Sequence, residues 1–279
     1  MRRQISLLSL AVLLLAGSAH AATVELRDAV LRVTVVPEDR SDIKVEIVRA
    51  NSQLPLKVTT VADRTVVDGG LRNRVRNCNG MGEKARVRVT GVGSVDFDAM
   101  PQLVIRTPRG VSVSASGAVA GVIGRSASLS LLNSGCSHWT IADVAGAADL
   151  HESGAGSIRM GAADSLDIQL SGAASVHATR VRQRLAVQLS GAGDVRVDDL
   201  SGAMNARVSG MGQVKVAGGR ATDIRASVSG VGGIGFAGGA TNLGASISGL
   251  GGIRVNEVSG RISKAVSGGG SIRIGNRPT

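Results

Sequence analysis

The sequence predicts an all-β fold: a parallel, right-handed β-solenoid of about 19-residue coils, preceded by a short β-sheet start-up region. Three observations predict this fold. A short motif recurs at a nearly fixed interval, apolar residues alternate on both sides of it, and Gly is abundant at 39 while Pro is scarce at 5. Coils stacked at such a period bury their apolar faces only against their neighbours.

The recurring motif is a serine–glycine turn, such as "LSGAGDVRV" at Leu189 and "VSGMGQVKV" at Val208. Its first glycine returns every 18 to 20 residues, at Gly117, Gly135, Gly154, Gly172, Gly191, Gly210, Gly230, Gly249 and Gly268. Glycine tolerates positive φ and lets neighbouring coils approach closely. We expect the serine hydroxyls to form a hydrogen-bonded ladder along one corner.

One repeat, residues 184–200, shows how a coil is built. Leu185, Val187 and Leu189 alternate with polar or small residues, which is typical of a strand with one buried face. After the turn, Val195 and Val197 resume the alternation in a second strand. The same slots carry apolar residues in later repeats, so stacking would bury them in one continuous core.

The stretch "GVGGIG", Gly230 to Gly235, matches the spacing of a dinucleotide-binding loop. The residues that follow it directly, "FAGGATNLGASISGLGG", give no amphipathic helical face and contain no acidic residue for the ribose. The stretch is also one member of the recurring series, whereas a nucleotide loop should occur once. We therefore interpret it as a structural turn and expect no cofactor.

The N-terminal residues predict export. Residues 1–21 combine Arg2 and Arg3, an apolar run from Ile5 to Ala16 and the small-x-small site Ala19-His20-Ala21, which together are typical of a secretory signal peptide. No later segment reaches the apolar length of a transmembrane helix. We expect an exported protein of the periplasm or of the cell surface, associated with the outer membrane.

Two regions should follow the signal peptide without a linker between them. Residues 22–89 contain longer, Arg-rich strands, such as "TVELRDAVLRVTVVPED", and should form a sheet that covers the exposed edge of the first coil. Residues 90–279 carry the solenoid repeats. Both regions should form one continuous body.

The charge predicts anionic partners. Removing Arg2 and Arg3 from the 32 basic residues leaves 30 against 21 acidic residues, a formal charge of +9. Such a surface attracts lipopolysaccharide or acidic envelope glycans. We expect no nucleic acid, because few aromatic side chains are present to stack on bases. The candidate anion contact is Arg72, Arg74 and Arg76, and a solvated, solubilising face is the alternative for this cluster. A generally basic secreted protein is likewise the alternative to a specific anion binder; other envelope proteins and self-association remain open as partners.

Cys78 and Cys136 are the only cysteines. In an exported chain two thiols are more often paired than free, so a disulfide is the favoured interpretation. Two separate small core residues are the alternative, because the sequence does not give the distance between them.

The opening strands and the recurrent "SGxGxV" turns resemble the bacterial head GIN domain, also called the putative auto-transporter adhesin head domain. The resemblance covers most of the chain after the signal peptide and is strongest from Thr90 to Gly275. It implies an all-β, solenoid-like fold in the cell envelope with no established reaction. The family name suggests adhesion.

Enzymatic motifs are weak in this sequence. His151-Glu152 begins like a zinc-binding helix motif, but Ala155 stands where the second histidine is required. The alternative to a non-enzymatic binding or structural module is a periplasmic polysaccharide lyase or hydrolase of the β-helix type. Its acidic and basic face would draw on Asp143, Asp149, Asp164, Asp167, Arg180 and Arg182.

Overall fold

The structure is a computed structural model that describes residues 22–79 and 85–276. The predicted signal peptide, residues 1–21, lies outside the described residues. The predicted fold class is confirmed: a parallel β-solenoid with about 19 residues per turn carries a small antiparallel sheet. In the described part of the chain, no helix has the length and hydropathy needed to span a membrane.

Strands make up most of the described chain. In chain order they are β1 (Ala22–Pro37), β2 (Lys44–Arg49), β3 (Lys57–Val61), β4 (Arg64–Asp68), β5 (Val75–Asn79), β6 (Arg86–Val89), β7 (Gly93–Asp96), β8 (Gln102–Thr107), β9 (Gly110–Ile123), β10 (Ser128–Asn133), β11 (Cys136–Ile141), β12 (Ala147–Glu152), β13 (Ala155–Leu170), β14 (Ala173–Leu189), β15 (Asp194–Val208), β16 (Gln213–Val216), β17 (Gly219–Val228), β18 (Gly233–Ile247), β19 (Gly252–Val258), β20 (Ile262–Val266) and β21 (Ser271–Asn276). The single-turn 3₁₀ helices Arg72–Arg74 and Phe97–Ala99 lie between strands of the described chain.

Each coil has two straight segments joined by the serine–glycine turn. We call the surface of the segments that run into the turn, such as residues 185–189, the entry face. The surface of the segments that leave the turn, such as residues 194–197, is the exit face. Equivalent segments pair in parallel from coil to coil, for example Val187 with Ala206 and Val195 with Val214.

The core lies between the two faces. Val187, Leu189, Val195 and Val197 are at most 1% exposed, as the alternation in the sequence predicts. Equivalent positions join them in one hydrophobic cluster that extends from Ala22 to Val258. A single coil could not bury these side chains, so stacking supplies most of the favourable burial.

The N-terminal region builds one end of the stack in an order that differs from the chain order. β1 is itself a coil: it pairs in parallel with β4 and β8 on one side and with β9 on the other. β2 and β3 lie beyond them, antiparallel to β8 and β4. β2 and β3 thus cover the outer edges of β8 and β4, whereas β1 is part of the stack itself.

A three-stranded antiparallel sheet, β5–β6–β7, is inserted between β4 and β8. Its inner side chains Val87, Val89 and Val95 are at most 4% exposed and join a second apolar cluster that includes Met100 and Ala118. The inserted sheet therefore packs against the outside of the first coils.

Candidate functional site

The turn glycines form a column along one corner of the solenoid. A Cβ added to Gly210 would fall inside van der Waals distance of the carbonyl oxygen of Gly191, and one added to Gly230 would meet that of Gly210 in the same way. Of the nine, only Gly117 has a positive φ, at 96°. Close approach of stacked backbones, rather than positive φ, therefore requires glycine in this column.

The serine beside each turn glycine acts through its backbone. Ser190 N donates to Leu170 O and Ser209 N donates to Leu189 O, both at 2.9 Å. The described serine hydroxyls of this series that donate a hydrogen bond do so to carbonyl oxygens. Ser153 Oγ, for example, donates to Asn133 O at 3.2 Å. The predicted hydroxyl ladder is wrong, because the carbonyl oxygens of the preceding coil accept the hydrogen bonds of these hydroxyls.

A disulfide fixes the inserted sheet to the solenoid. Cys78 of β5 and Cys136 of β11 are bonded, with a Cα–Cα distance of 6.1 Å, which confirms the predicted pairing. Cys136 occupies the position after a turn glycine, so the bond ties the sheet directly to the turn corner. The aliphatic face of the sheet and this bond together hold its outer face in a fixed place.

Arg72, Arg74 and Arg76 lie at the exposed margin of the inserted sheet. Two of them also support local structure: Arg74 Nε donates to Thr90 O at 2.9 Å, and Arg76 Nε donates to Thr90 Oγ1 at 3.1 Å. Replacing these arginines would therefore alter the sheet as well as its charge. Their role as an anion contact stays a prediction.

The acidic residues of the enzymatic alternative do not converge on one point. Asp143 Oδ1 accepts a hydrogen bond from Ala162 N at 2.8 Å, and Asp164 pairs with Arg182 at 3.2 Å. Arg180 pairs with Asp199 instead, at 3.4 Å. Asp149 and Asp167 are direct neighbours in register on the entry face, but neither is buried.

A buried polar pair interrupts the apolar core near the turn corner. Glu152 is 1% exposed and Asn133 is 3% exposed, in a column that otherwise holds residues such as Leu170 and Leu189. Asn133 Nδ2 donates to both carboxyl oxygens of Glu152 at 2.9 Å, and Gly154 N donates to Oε1 at 2.9 Å. Burial raises the pKa of Glu152, and these hydrogen bonds oppose that shift.

His138 and Ser157 form a second polar contact, with 2.6 Å between Nδ1 and Oγ. Burial lowers the pKa of His138, and the nearby charge of Arg159 acts in the same direction. Ser157 is only 4% exposed, so a substrate could not reach its hydroxyl. Across residues 22–79 and 85–276, no three His, Cys, Asp or Glu side chains cluster in a way that could hold a metal ion.

The most regular charged feature is a column of basic side chains on the exit face. Seven successive coils place the residues Arg159, His177, Arg196, Lys215, Gly235, Arg254 and Arg273 in direct register. We call these residues the basic column. Six of the seven are cationic or, in the case of histidine, can become so, and neighbouring positions are about 4.8 Å apart.

Most residues of the basic column have no counter-ion among the described residues. Asp198 pairs with Arg196 at 3.2 Å and with His177 at 2.8 Å, and the His177 bond is the main cause of a lowered pKa at Asp198. Within the described ranges, the salt bridges do not include Arg159, Lys215, Arg254 or Arg273. All four side chains are exposed.

The basic column was missed at the sequence level, although its signal is present there. In each copy it is the residue between the two apolar residues after the turn, as in "IRM", "VHA", "VRV", "VKV", "IGF", "IRV" and "IRI". The pattern becomes visible only when the repeats are aligned with one another. By contrast, a groove of about 690 Å³ beside the turn serines on the entry face is lined by one arginine of the described chain, Arg207.

Fold and surface together define a repeat-built β-solenoid with one basic face and a disulfide-anchored inserted sheet. Neither a family model nor a curated protein matches the sequence. The chain is similar to a crystal structure described as a putative adhesin from Bacteroides fragilis, with 14% identity, a TM-score of 0.42, and 91% of this chain and 92% of that chain covered. It is also similar to a putative cell adhesion protein from Clostridium sporogenes, with 10% identity, a TM-score of 0.21, and 92% and 93% of the two chains covered.

Proposed function

We propose that this protein is a non-enzymatic, exported cell-envelope module of the head GIN type, with an adhesion-like role in the periplasm or at the cell surface. Its ligand is an anionic envelope glycan, which it binds along the exit face. The observation that supports this proposal is the basic column: six of its seven coils place a basic residue at the same position, and four of these, Arg159, Lys215, Arg254 and Arg273, are exposed and form no salt bridge with the described residues.

The basic column destabilises the folded state but is suited to binding an anionic polymer. Like charges directly opposite each other on neighbouring strands destabilise a sheet, and Arg254 and Arg273 are such a pair. The spacing between positions is shorter than the Debye length of about 10 Å at 0.1 M salt, so the charges act together on a ligand. A polymer with closely spaced carboxylates or sulfates would neutralise several of them at once.

The residues beside the column leave it accessible. Gly233, Gly252 and Ser271 occupy the neighbouring outward row in the last three coils, so no bulky side chain covers the cations there. Where Gly235 interrupts the column, shallow depressions of about 280 and 390 Å³ open on its two sides. The exit face therefore presents an open, flat surface that an extended chain could follow.

We also propose Arg72, Arg74 and Arg76 as a second contact for the same ligand class. Arg76 lies in β5, which the disulfide bonds to the solenoid, and Arg72 and Arg74 lie in the 3₁₀ helix directly before β5. The bonds of Arg74 and Arg76 to Thr90 make these arginines a poor first test, because loss of binding in a variant could follow from local unfolding of the sheet.

The test compares two variants with equal loss of charge. One carries Arg159→Ser, Lys215→Ser, Arg254→Ser and Arg273→Ser on the exit face. The matched control carries Arg184→Ser, Arg207→Ser, Arg220→Ser and Arg225→Ser, which are exposed and lie outside the column. Exposed ionic contacts contribute about 0.2–1 kcal/mol each, so the first variant should bind polygalacturonate about tenfold more weakly than wild type at low salt.

The control variant should retain most of the wild-type affinity, and uncharged dextran should bind none of the three proteins. Equal losses in the two variants would show that net charge, not the column, governs binding. Reducing ends should not accumulate when the protein is incubated with polygalacturonate; their release, and its loss in Asp149→Asn, would instead favour the enzymatic alternative at the neighbouring acids Asp149 and Asp167.

A further inference from the structure

Three large aliphatic side chains stand exposed at the apex of successive turns. Met211 is 72% exposed, Val231 63% and Leu250 69%. Each amide donates to a turn glycine of the preceding coil: Met211 N to Gly191 O, Val231 N to Gly210 O and Leu250 N to Gly230 O, at 3.1 to 3.2 Å. The three side chains therefore form a line about 10 Å long, which we call the apolar ridge.

The turn itself does not need these large side chains. Ala155, Ala173 and Ala192 occupy the same position in the three preceding coils, and Gly269 occupies it in the last. Nearer the N-terminus, Ala118 and Cys136 hold this position and pack against the inserted sheet. Large apolar side chains at the position after the turn glycine therefore occur in three neighbouring turns, and no part of the described chain covers them.

The coils that carry the ridge are strongly basic. Residues 200–276 contain eight Lys and Arg (Arg207, Lys215, Arg220, Arg225, Arg254, Arg261, Lys264, Arg273) against two acidic residues, Asp223 and Glu257, a net charge of +6. All eight cations are exposed. Arg207 and Lys215 lie four residues before and after Met211, so cations stand on both the entry and the exit side of the ridge.

We propose that this corner docks onto a lipid surface with anionic headgroups. An aliphatic line flanked by cations suits the membrane interface, where apolar side chains enter the boundary between headgroups and acyl chains and lysine or arginine pairs with phosphate. The proposal shares Lys215 and Arg254 with the proposed function, but the ridge adds a contact that a soluble polyanion cannot use.

A second copy of the chain is a poorer occupant of the ridge. Three side chains bury far less than the roughly 800 Å² per partner of a standard protein interface. Ridge-to-ridge packing would also bring Arg207 and Lys215 of both copies together without counter-ions. An anionic bilayer meets both the apolar and the charged requirement.

The experiment is co-sedimentation of the exported chain, from Ala22 onward, with phosphatidylcholine vesicles that contain or lack phosphatidylglycerol. The test variant carries Met211→Ser, Val231→Ser and Leu250→Ser. The matched control carries Ala155→Ser, Ala173→Ser and Ala192→Ser at the same turn position. Wild type and control should bind the anionic vesicles, and the ridge variant should bind at least about tenfold more weakly.

Binding of polygalacturonate by the ridge variant should equal that of wild type, which separates this inference from the proposed function. Unchanged vesicle binding by a folded ridge variant would overturn the lipid proposal and leave glycan binding intact. A concentration-dependent dimer that only the ridge variant loses, with no vesicle binding by wild type, would also overturn it. Circular dichroism of both triple variants confirms that each is folded.

Discussion

Replacing one turn glycine should separate neighbouring coils. In Gly210→Ala the new Cβ would lie inside contact distance of Gly191 O, 2.6 Å from Ser190 O and 2.9 Å from Ser190 C. These are backbone atoms, and they cannot rotate away as a flexible side chain could. The coil around them is also held in place, since Met211 N donates to Gly191 O at 3.2 Å and Ser209 N donates to Leu189 O at 2.9 Å.

The expected cost follows from two effects. Overpacking in a close-packed site costs about 1–3 kcal/mol, and weakening one or two of the hydrogen bonds between the coils adds about 0.5–1.5 kcal/mol each. Alanine offsets part of this, because it lowers the conformational entropy of the unfolded chain by about 0.4–1 kcal/mol. We therefore expect Gly210→Ala to lower the free energy of unfolding by about 2–3 kcal/mol.

Gly235→Ala provides the matched control. An added Cβ at Gly235 meets no atom within 4 Å, so the change should be neutral or slightly stabilising. The measurement is equilibrium urea denaturation of both variants, followed by circular dichroism. Because a solenoid can unfold in segments, hydrogen exchange of the amides of residues 209–211 should report the same loss locally. Unfolding free energies of the two variants within about 0.5 kcal/mol of each other would refute the close-approach explanation.

Three further predictions concern the core and the disulfide. Val195→Asp should lower the free energy of unfolding by several kcal/mol, because it places an unpaired charge at a position that is 1% exposed. Arg196→Asp on the same strand should lower it by less than about 1 kcal/mol. Similar urea midpoints for the two variants would mean that the strand faces are assigned wrongly. Cys78–Cys136 closes a loop of 58 residues, so its reduction should lower the free energy of unfolding by about 2–4 kcal/mol and should first expose the amides of the inserted sheet to hydrogen exchange. Titration of the unfolded, unreduced chain should find no free thiol. The raised pKa of Glu152 means that the folded protein keeps this proton at pH values at which the unfolded chain has lost it. The stabilisation that Glu152 gives the folded state is therefore fully present below about pH 4.5, and it is lost as the pH rises through the pKa of the folded state. Glu152→Gln should remove that loss, so its stability relative to wild type should rise between pH 4 and pH 8; a constant difference would contradict the buried-carboxyl assignment.

The periodic features of the fold could be predicted from the sequence because they repeat. Alternation around the turn correctly assigned Val187, Leu189, Val195 and Val197 to the core. The disulfide was the favoured interpretation because export was predicted for a chain with two cysteines, and the bond between Cys78 and Cys136 confirms the pairing. The reason for the turn glycines was only partly right, since positive φ occurs at Gly117 and close backbone approach applies along the column.

Non-repeating features could not be predicted in the same way. Insertion of β1 between β8 and β9 depends on pairing between distant segments, which no local pattern records. The Asn133–Glu152 pair breaks the apolar pattern of its column and becomes interpretable only when the partner side chains are known. The basic column was accessible in principle, because each of its members occupies the same position of the repeat.

Extending the basic column tests the central claim most directly. Gly235→Arg fills the gap between Lys215 and Arg254, where an added Cβ meets no atom within 4 Å. Gly244→Arg adds the same charge on the entry face, where the nearest atom to a new Cβ is 3.9 Å away. The measurement is the dissociation constant for polygalacturonate at low salt. Gly235→Arg should bind about two- to fivefold more tightly than wild type, and Gly244→Arg should bind like wild type. An equal gain in both variants, or no gain in Gly235→Arg, would contradict ligand binding along this column.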